Sequence, residues 1–143
     1  MLCKQDPAES ELLAQFLRIQ HKDSGRSLEG TNCWGAILLW YELRLGINVW
    51  DLEINRTPGS KFSGKAIDIE NYYKRWKKVS KPGLYDVILF KVGDELHAGF
   101  YLRDGKFFHI CKAGGAICSI GSPEWRDRVI GYYHLKDRDA HNG

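Results

Sequence analysis

The chain has no apolar run approaching the roughly 20 residues needed to cross a bilayer. The longest, residues 36–41, is far shorter, so no membrane-spanning segment is expected. No Cys-x-x-Cys pair occurs among Cys3, Cys33, Cys111 and Cys118, so the spacing of a structural zinc site is missing. An even cysteine count permits disulfides, but reduced thiols are expected in a chain made in a cytoplasm. The opening residues Met1-Leu2-Cys3-Lys4-Gln5-Asp6-Pro7 lack a basic start followed by an apolar stretch and do not read as a secretory signal. Folding in a cytoplasm is therefore expected, with exit by another route, such as inside a particle, left open. Internal repeats and low-complexity tracts are also missing.

What is present is globular. The 143 residues are 43% hydrophobic and 27% charged, which suits one domain over residues 1–143 with a real core. The net charge is +3. Its clearest basic cluster is Lys74, Arg75, Lys77, Lys78 and Lys81, interleaved with Tyr72, Tyr73 and Trp76. A nucleic-acid groove is conceivable from this pattern, but a helix with a solvated basic face and a buried aromatic face is expected instead. No nucleic-acid partner is expected. An anionic wall polymer or a partner protein could also use the patch.

Asp6-Pro7-Ala8-Glu9 can open a first helix, with Asp6 as cap, Pro7 in the first turn and Glu9 at the positive end. Leu12, Leu13, Phe16 and Leu17 form its apolar stripe, and the helix should fade near Gln20. After a polar loop over residues 21–31, Asn32 is a good N-cap for a second helix over residues 33–45, ended by Gly46. Residues 47–64 form an irregular stretch, and residues 66–78 read as a third helix. Beyond Lys81-Pro82-Gly83 the pattern turns to strands at 86–92, 96–102 and 106–112, with Asp104-Gly105 as a hairpin signal and a last strand within 125–135. Helices followed by an antiparallel sheet define an α+β layout.

Cys33 would occupy the first turn of the second helix. Unpaired N–H groups and the positive end of the helix dipole there favour a thiolate, and the same amides can serve in an oxyanion hole. Asn32 as cap and Trp34 in the first turn belong to this set. His97 and His109 lie on the two arms of the hairpin, and whether they meet depends on its turn. A two-residue loop would put His109 opposite Phe100, on the face away from His97. A three-residue loop, Arg103-Asp104-Gly105 with Gly105 left-handed, pairs Leu102 with Lys106. It sets His109 opposite Gly99 and diagonal to His97, at roughly 7–8 Å between backbones. His97 could then take the Cys33 proton and His109 could orient His97. Cys111 would oppose His97 and is the internal rival, although no helix terminus lowers its pKa. Cys118, after Gly114-Gly115, is expected in a loop, and His21, His134 and His141 at the surface. No cofactor or metal is expected; His97, His109 and Cys111 have no metal-site spacing.

Taken together, Asn32-Cys33-Trp34-Gly35 before an apolar helix, the strand Asp86-Val87-Ile88-Leu89-Phe90, His97-Ala98-Gly99-Phe100-Tyr101-Leu102 and Phe107-Phe108-His109-Ile110 resemble the NlpC-type cell-wall cysteine peptidase family. Gly25-Arg26-Ser27 and the ending Trp125-Arg126-Asp127-Arg128-Val129-Ile130-Gly131-Tyr132-Tyr133 look most like its bacteriophage tail-protein branch. The likeness runs from about Phe16 to Tyr133. It implies a papain-like α+β fold, with N-terminal helices packed on a C-terminal antiparallel sheet. It also implies hydrolysis of peptidoglycan stem peptides, typically beside D-glutamate, with Cys33 as nucleophile, His97 as base and His109 as orienting residue. The implied partners are the stem peptide and other tail-tip proteins, and the implied place is a virion tail after synthesis in the host cytoplasm. Asn32 stands where the family usually has Asp, which puts any role of that carboxylate in question and leaves a structural, catalytically weak tail protein as the alternative. The extra metallopeptidase-like domain common in tail relatives has no room here. Residues 47–80 match poorly and are expected to build the substrate groove or a tail contact.

Overall fold

A computed structural model describes residues 7–23, 25–49 and 75–141. Pro7 and Glu9 start helix α1, Pro7–Phe16, as their placement predicts; Asp6 lies outside the described residues. The helix ends earlier than its apolar stripe suggests. The N–H groups of Arg18 and Ile19 bond to carbonyls three residues back, which tightens the last turn. The Ile19 carbonyl is then taken by the Gly115 N–H at 2.9 Å, and Gln20–His21 becomes strand β1. The sheet contact wins over helical continuation.

Glu9 is fully buried. Its carboxylate accepts from Arg103 at 2.7 and 3.1 Å and from the Tyr85 hydroxyl. Burial by itself would raise the Glu9 pKa, but these donors and the nearby cations outweigh it and hold the carboxyl low. The bond to Arg103 ties α1 to the tip of the hairpin that carries both candidate histidines.

Beyond β1, the polar loop contains β2, Arg26–Ser27, and β3, Gly30–Thr31, which join β1 in a small sheet ordered β1-β3-β2. Asn32 then caps helix α2, Cys33–Trp40. The predicted helix to Leu45 is present, but its last part, Tyr41–Leu45, is a wider π-type turn that stops at Gly46 with φ of 71°. Every residue of α2 after Cys33 is buried, as befits a helix at the centre of a fold. It lies against the sheet through a stack of rings. Trp40 stacks on Phe100 at 4.8 Å and Phe100 on Phe108 at 5.1 Å, with Phe16 edge-on to Trp40 at 5.0 Å.

The main sheet contains β4, Trp76–Val79; β5, Val87–Val92; β6, Glu95–Tyr101; β7, Lys106–Cys111; β8, Gly114–Ser119; and β9, Val129–Leu135. Its order is β4-β9-β5-β6-β7-β8, antiparallel throughout. The short helix α3, Asp137–His141, follows. Helices on one face of an antiparallel sheet give the α+β architecture expected. The other face carries a second core of Ile88, Phe90, Phe107 and Trp125.

Three expectations change. Residues 76–78, read as the end of a third helix, are an edge strand: Trp76 pairs with Leu135 and points inward, while Lys77 and Lys78 face solvent. Pairing with β9 overrides the helical spacing, and edge lysines discourage further strand addition. Residues 66–74 of that helix lie outside the described residues. Cys118, expected in a loop, is on strand β8 opposite Phe107; Gly114-Gly115 hid the strand because glycine carries no alternation signal. His134, expected as a surface residue, is on β9 and half-buried, bonded to Asp86 at 2.7 Å and Asp139 at 2.8 Å.

Candidate active site

The hairpin between β6 and β7 adopts the register that unites the histidines. Gly99 pairs with His109, Phe100 with Phe108 and Tyr101 with Phe107. The Leu102 N–H reaches the Lys106 carbonyl, and Asp104 and Gly105 both have positive φ, at 57° and 77°. A tight turn at Asp104-Gly105, preceded by one unpaired residue, Arg103, on the β6 side, sets this offset. Gly99 is required between the rings: a Cβ there would lie 2.5 Å from the Phe108 carbonyl oxygen and 3.2 Å from the His109 Cβ. The result is a direct contact, His97 Nε2 to His109 Nδ1 at 2.8 Å.

Both rings sit on the face of the second core. Trp125 lies parallel to His97 at 5.8 Å and edge-on to His109 at 5.0 Å. Arg128 lies over the Trp125 ring at 5.6 Å. No apolar periodicity marked Trp125 as part of the site, because it sits in a loop between strands.

Cys33 approaches from α2, on the other face. The ladder between β6 and β7 ends at Gly99–His109, and the backbone N–H groups of Ala98, Trp34 and Cys33 itself lie near enough to the Cys33 sulfur to favour its thiolate. The sulfur thus lies against the Ala98 backbone, one residue from His97. Cys33 and His97 are not hydrogen-bonded to each other. Such pairs often close only around a substrate.

Asn32 uses both ends of its amide. Oδ1 accepts from Gly35 N at 2.7 Å, the cap expected, and Nδ2 donates to the Asp23 carbonyl at 2.7 Å. An aspartate could cap but could not donate. Trp34 contributes its backbone N–H toward the sulfur, while its ring is core, against Trp76 at 5.8 Å. Cys111 pairs with Gly114 and donates its thiol to the Gly114 carbonyl at 3.2 Å. Cys118, rather than Cys111, reaches the relay, with Sγ 3.4 Å from His109 Nε2. His21 is exposed on β1 and close enough to bear on His97.

The electrostatics at rest are those of a neutral site. Burial pushes the Cys33 thiol up to about 11, against the lowering by the nearby backbone N–H groups, and Glu95 adds to the rise. The helix terminus acts in the direction expected from the sequence, but desolvation of the thiolate is larger. Burial likewise pushes His97 down to about 3, with His109 and His21 adding to it, and His109 down to about 4. Cys33, Cys111 and Cys118 are free thiols. Among the described residues, no group of three or more His, Cys, Asp and Glu is arranged to hold a metal ion, and no helix is long and apolar enough to cross a membrane.

The architecture is that of solved NlpC/P60 structures. A protein similar to lipoprotein of the NLP/P60 family, from Staphylococcus aureus subsp. aureus Mu50, superposes with a TM-score of 0.63 at 19% identity, over 88% of this chain and 39% of that one. The NlpC/p60 domain of the peptidoglycan hydrolase SagA gives 0.58 at 11% identity, over 90% and 97%. An NlpC/P60 family protein from Bacillus cereus ATCC 10987 gives 0.59 at 17%, over 93% and 41%. The chain therefore spans about two fifths of the two longer proteins and nearly all of the SagA domain. At these identities the likeness is one of fold: papain-like α+β of the NlpC/P60 type. No protein-family model matches the sequence, and no curated protein is similar to it.

Proposed function

We propose that the chain is a thiol-dependent endopeptidase that cleaves peptidoglycan stem peptides. One juxtaposition carries the reading: in an NlpC/P60-type fold, a cysteine at the first turn of the central helix lies against the strand backbone beside a bonded histidine pair. In the reaction, the Cys33 proton passes to His97 Nδ1 as sulfur attacks the scissile carbonyl. The N–H groups of Cys33 and Trp34 stabilise the oxyanion. His97 then protonates the leaving amine, and water releases the acyl group from sulfur by the reverse proton path. His109 engages His97 Nε2 and so leaves Nδ1 as the nitrogen available to the sulfur. Burial keeps the resting pair neutral, and proton transfer requires the two groups to come within hydrogen-bond reach.

The proposal extends to a place in a bacteriophage tail tip, made in the host cytoplasm and assembled with other tail proteins. It rests on the resemblance of the segments around Gly25-Arg26-Ser27 and Trp125 to Tyr133. The raised Cys33 pKa and the missing Cys33–His97 bond favour a second reading, a structural tail protein with a weak or inactive site. Digestion of purified muropeptides by the natural protein and by Cys33→Ala separates them. Product release by the natural protein alone supports the peptidase. No release by either, with tails still assembled by the substituted protein, supports the structural reading.

A further inference from the structure

We propose that Cys118 is a positioning residue: its sulfur accepts the Nε2–H of His109 and so fixes the tautomers of His109 and His97. The proposal rests on the peptidase reading for its consequence in catalysis, but its geometry stands on its own. Three groups lie in series, with His97 Nε2 2.8 Å from His109 Nδ1, and His109 Nε2 3.4 Å from Cys118 Sγ. A neutral imidazole carries one N–H, so the proton positions along this series are coupled. Both rings are buried and held neutral. For His97 Nδ1 to be free to take a proton, the His97 proton must sit on Nε2 and point at His109 Nδ1. His109 must then carry its proton on Nε2, and that N–H needs an acceptor. Cys118 is the side chain that meets it.

The reverse polarity is also written in the same contacts. There the Cys118 thiol would donate to His109 Nε2, His109 would donate from Nδ1, and His97 would hold its proton on Nδ1, where it could accept nothing from Cys33. The surroundings of the sulfur favour the first arrangement. Trp125, which packs edge-on to His109, can only donate, and its indole bears on Cys118 as a donor. Trp125 Nε1 is buried without a partner at hydrogen-bond geometry, so this is a longer-range dipole and not a second bond. One N–H in contact, that of His109, and the indole dipole beyond it both favour lone pairs on the inner side of the sulfur. Cys118 is partly exposed, which leaves its own proton free to turn outward. No bond forms or breaks at Cys118, and no proton leaves it. Glu124 and Cys111 are the other titratable groups bearing on it, as His21 is for His97 and Glu95 for Cys33.

The test is histidine nitrogen NMR on the full chain near neutral pH, comparing the natural protein with Cys118→Ser and Cys118→Ala, alongside stem-peptide hydrolysis. The natural protein should show His97 and His109 as Nε2–H tautomers. Alanine should turn the His109 signals to the other tautomer or an exchange average, and serine, which keeps an acceptor, should restore them. Hydrolysis by the alanine variant should lose about tenfold in kcat with KM unchanged, and serine should recover most of it. An Nδ1–H tautomer at His97 in the natural protein overturns the proposal, as does a spectrum untouched by alanine or disturbed alike by serine and alanine. If the tautomers respond as expected while the natural protein cleaves no stem peptide, the positioning role stands and the peptidase reading falls.

Discussion

His97 Nε2 and His109 Nδ1 stand 2.8 Å apart although their residues sit on different strands and are not paired across the ladder. The contact is diagonal, and it exists because one residue at the hairpin turn is unpaired. A direct two-residue register would turn His109 to the opposite face. The distance makes the two rings one unit, in which replacing either alters the proton position on the other.

Replacing His109 with alanine should therefore act through His97. For the proposed hydrolysis, kcat on muropeptides should fall by about 100-fold or more, as when the orienting member of a triad is lost. His109→Asn, whose side-chain oxygen can accept from His97 Nε2–H, should retain more activity than alanine. Steady-state kinetics on a defined stem peptide checks this; equal rates for alanine and the natural protein would remove His109 from the mechanism.

The buried histidines should make the fold acid-labile. Each has its folded pKa below its ordinary value of 6.5, His97 at about 3 and His109 at about 4. Below pH 6.5 the unfolded chain binds protons that the folded protein refuses, so stability falls as pH falls, down to about 4 for His109 and about 3 for His97. Each histidine contributes a slope of about 1.4 kcal/mol per pH unit within its window. Urea titrations across this range should lose part of that slope in His109→Asn. A slope identical in the two proteins contradicts the assignment.

The Cys33 thiol should alkylate slowly at rest. With its pKa raised to about 11, the thiolate fraction near neutral pH is smaller than that of a free cysteine in a peptide, and the thiolate is the reacting form. The rate of iodoacetamide labelling at Cys33, followed by mass spectrometry of the peptide, should climb as pH rises toward that value. A plateau already reached near neutral pH would mean that Cys33 and His97 exist as an ion pair without substrate.

Asn32→Ala and Asn32→Asp should differ. Alanine loses the cap and the tie to Asp23 and should cost about 1–2 kcal/mol. Aspartate keeps the cap and gains from the helix dipole, worth about 0.3–1 kcal/mol, but turns an acceptor toward the Asp23 carbonyl in place of the 2.7 Å donor. Its stability should fall between alanine and the natural protein in thermal melts. An aspartate variant at least as stable as the natural protein would show that the Nδ2 bond contributes nothing.

Much of this arrangement was legible in the residues themselves. The Asn32 cap, the Gly46 stop and the strands around Val87, Ala98 and Phe108 follow from local rules: a side chain that accepts from its own helix, a left-handed glycine, a buried apolar run. The turn at Asp104-Gly105 belongs here too, since it left two registers and Gly99 supplied the space that one of them needs. What was not legible depended on distant partners. Trp76 became a strand because β9 lay open beside it, and α1 stopped early because Gly115 claimed the Ile19 carbonyl. Cys118 looked like a loop thiol, yet its strand carries it to His109, and Trp125 closes over both from a segment with no pattern to announce it. Likewise, the helix terminus at Cys33 pointed to a thiolate, and only the packed fold decided for the neutral thiol. A dipole is fixed by neighbours in sequence, whereas desolvation is the work of everything that folds around the group.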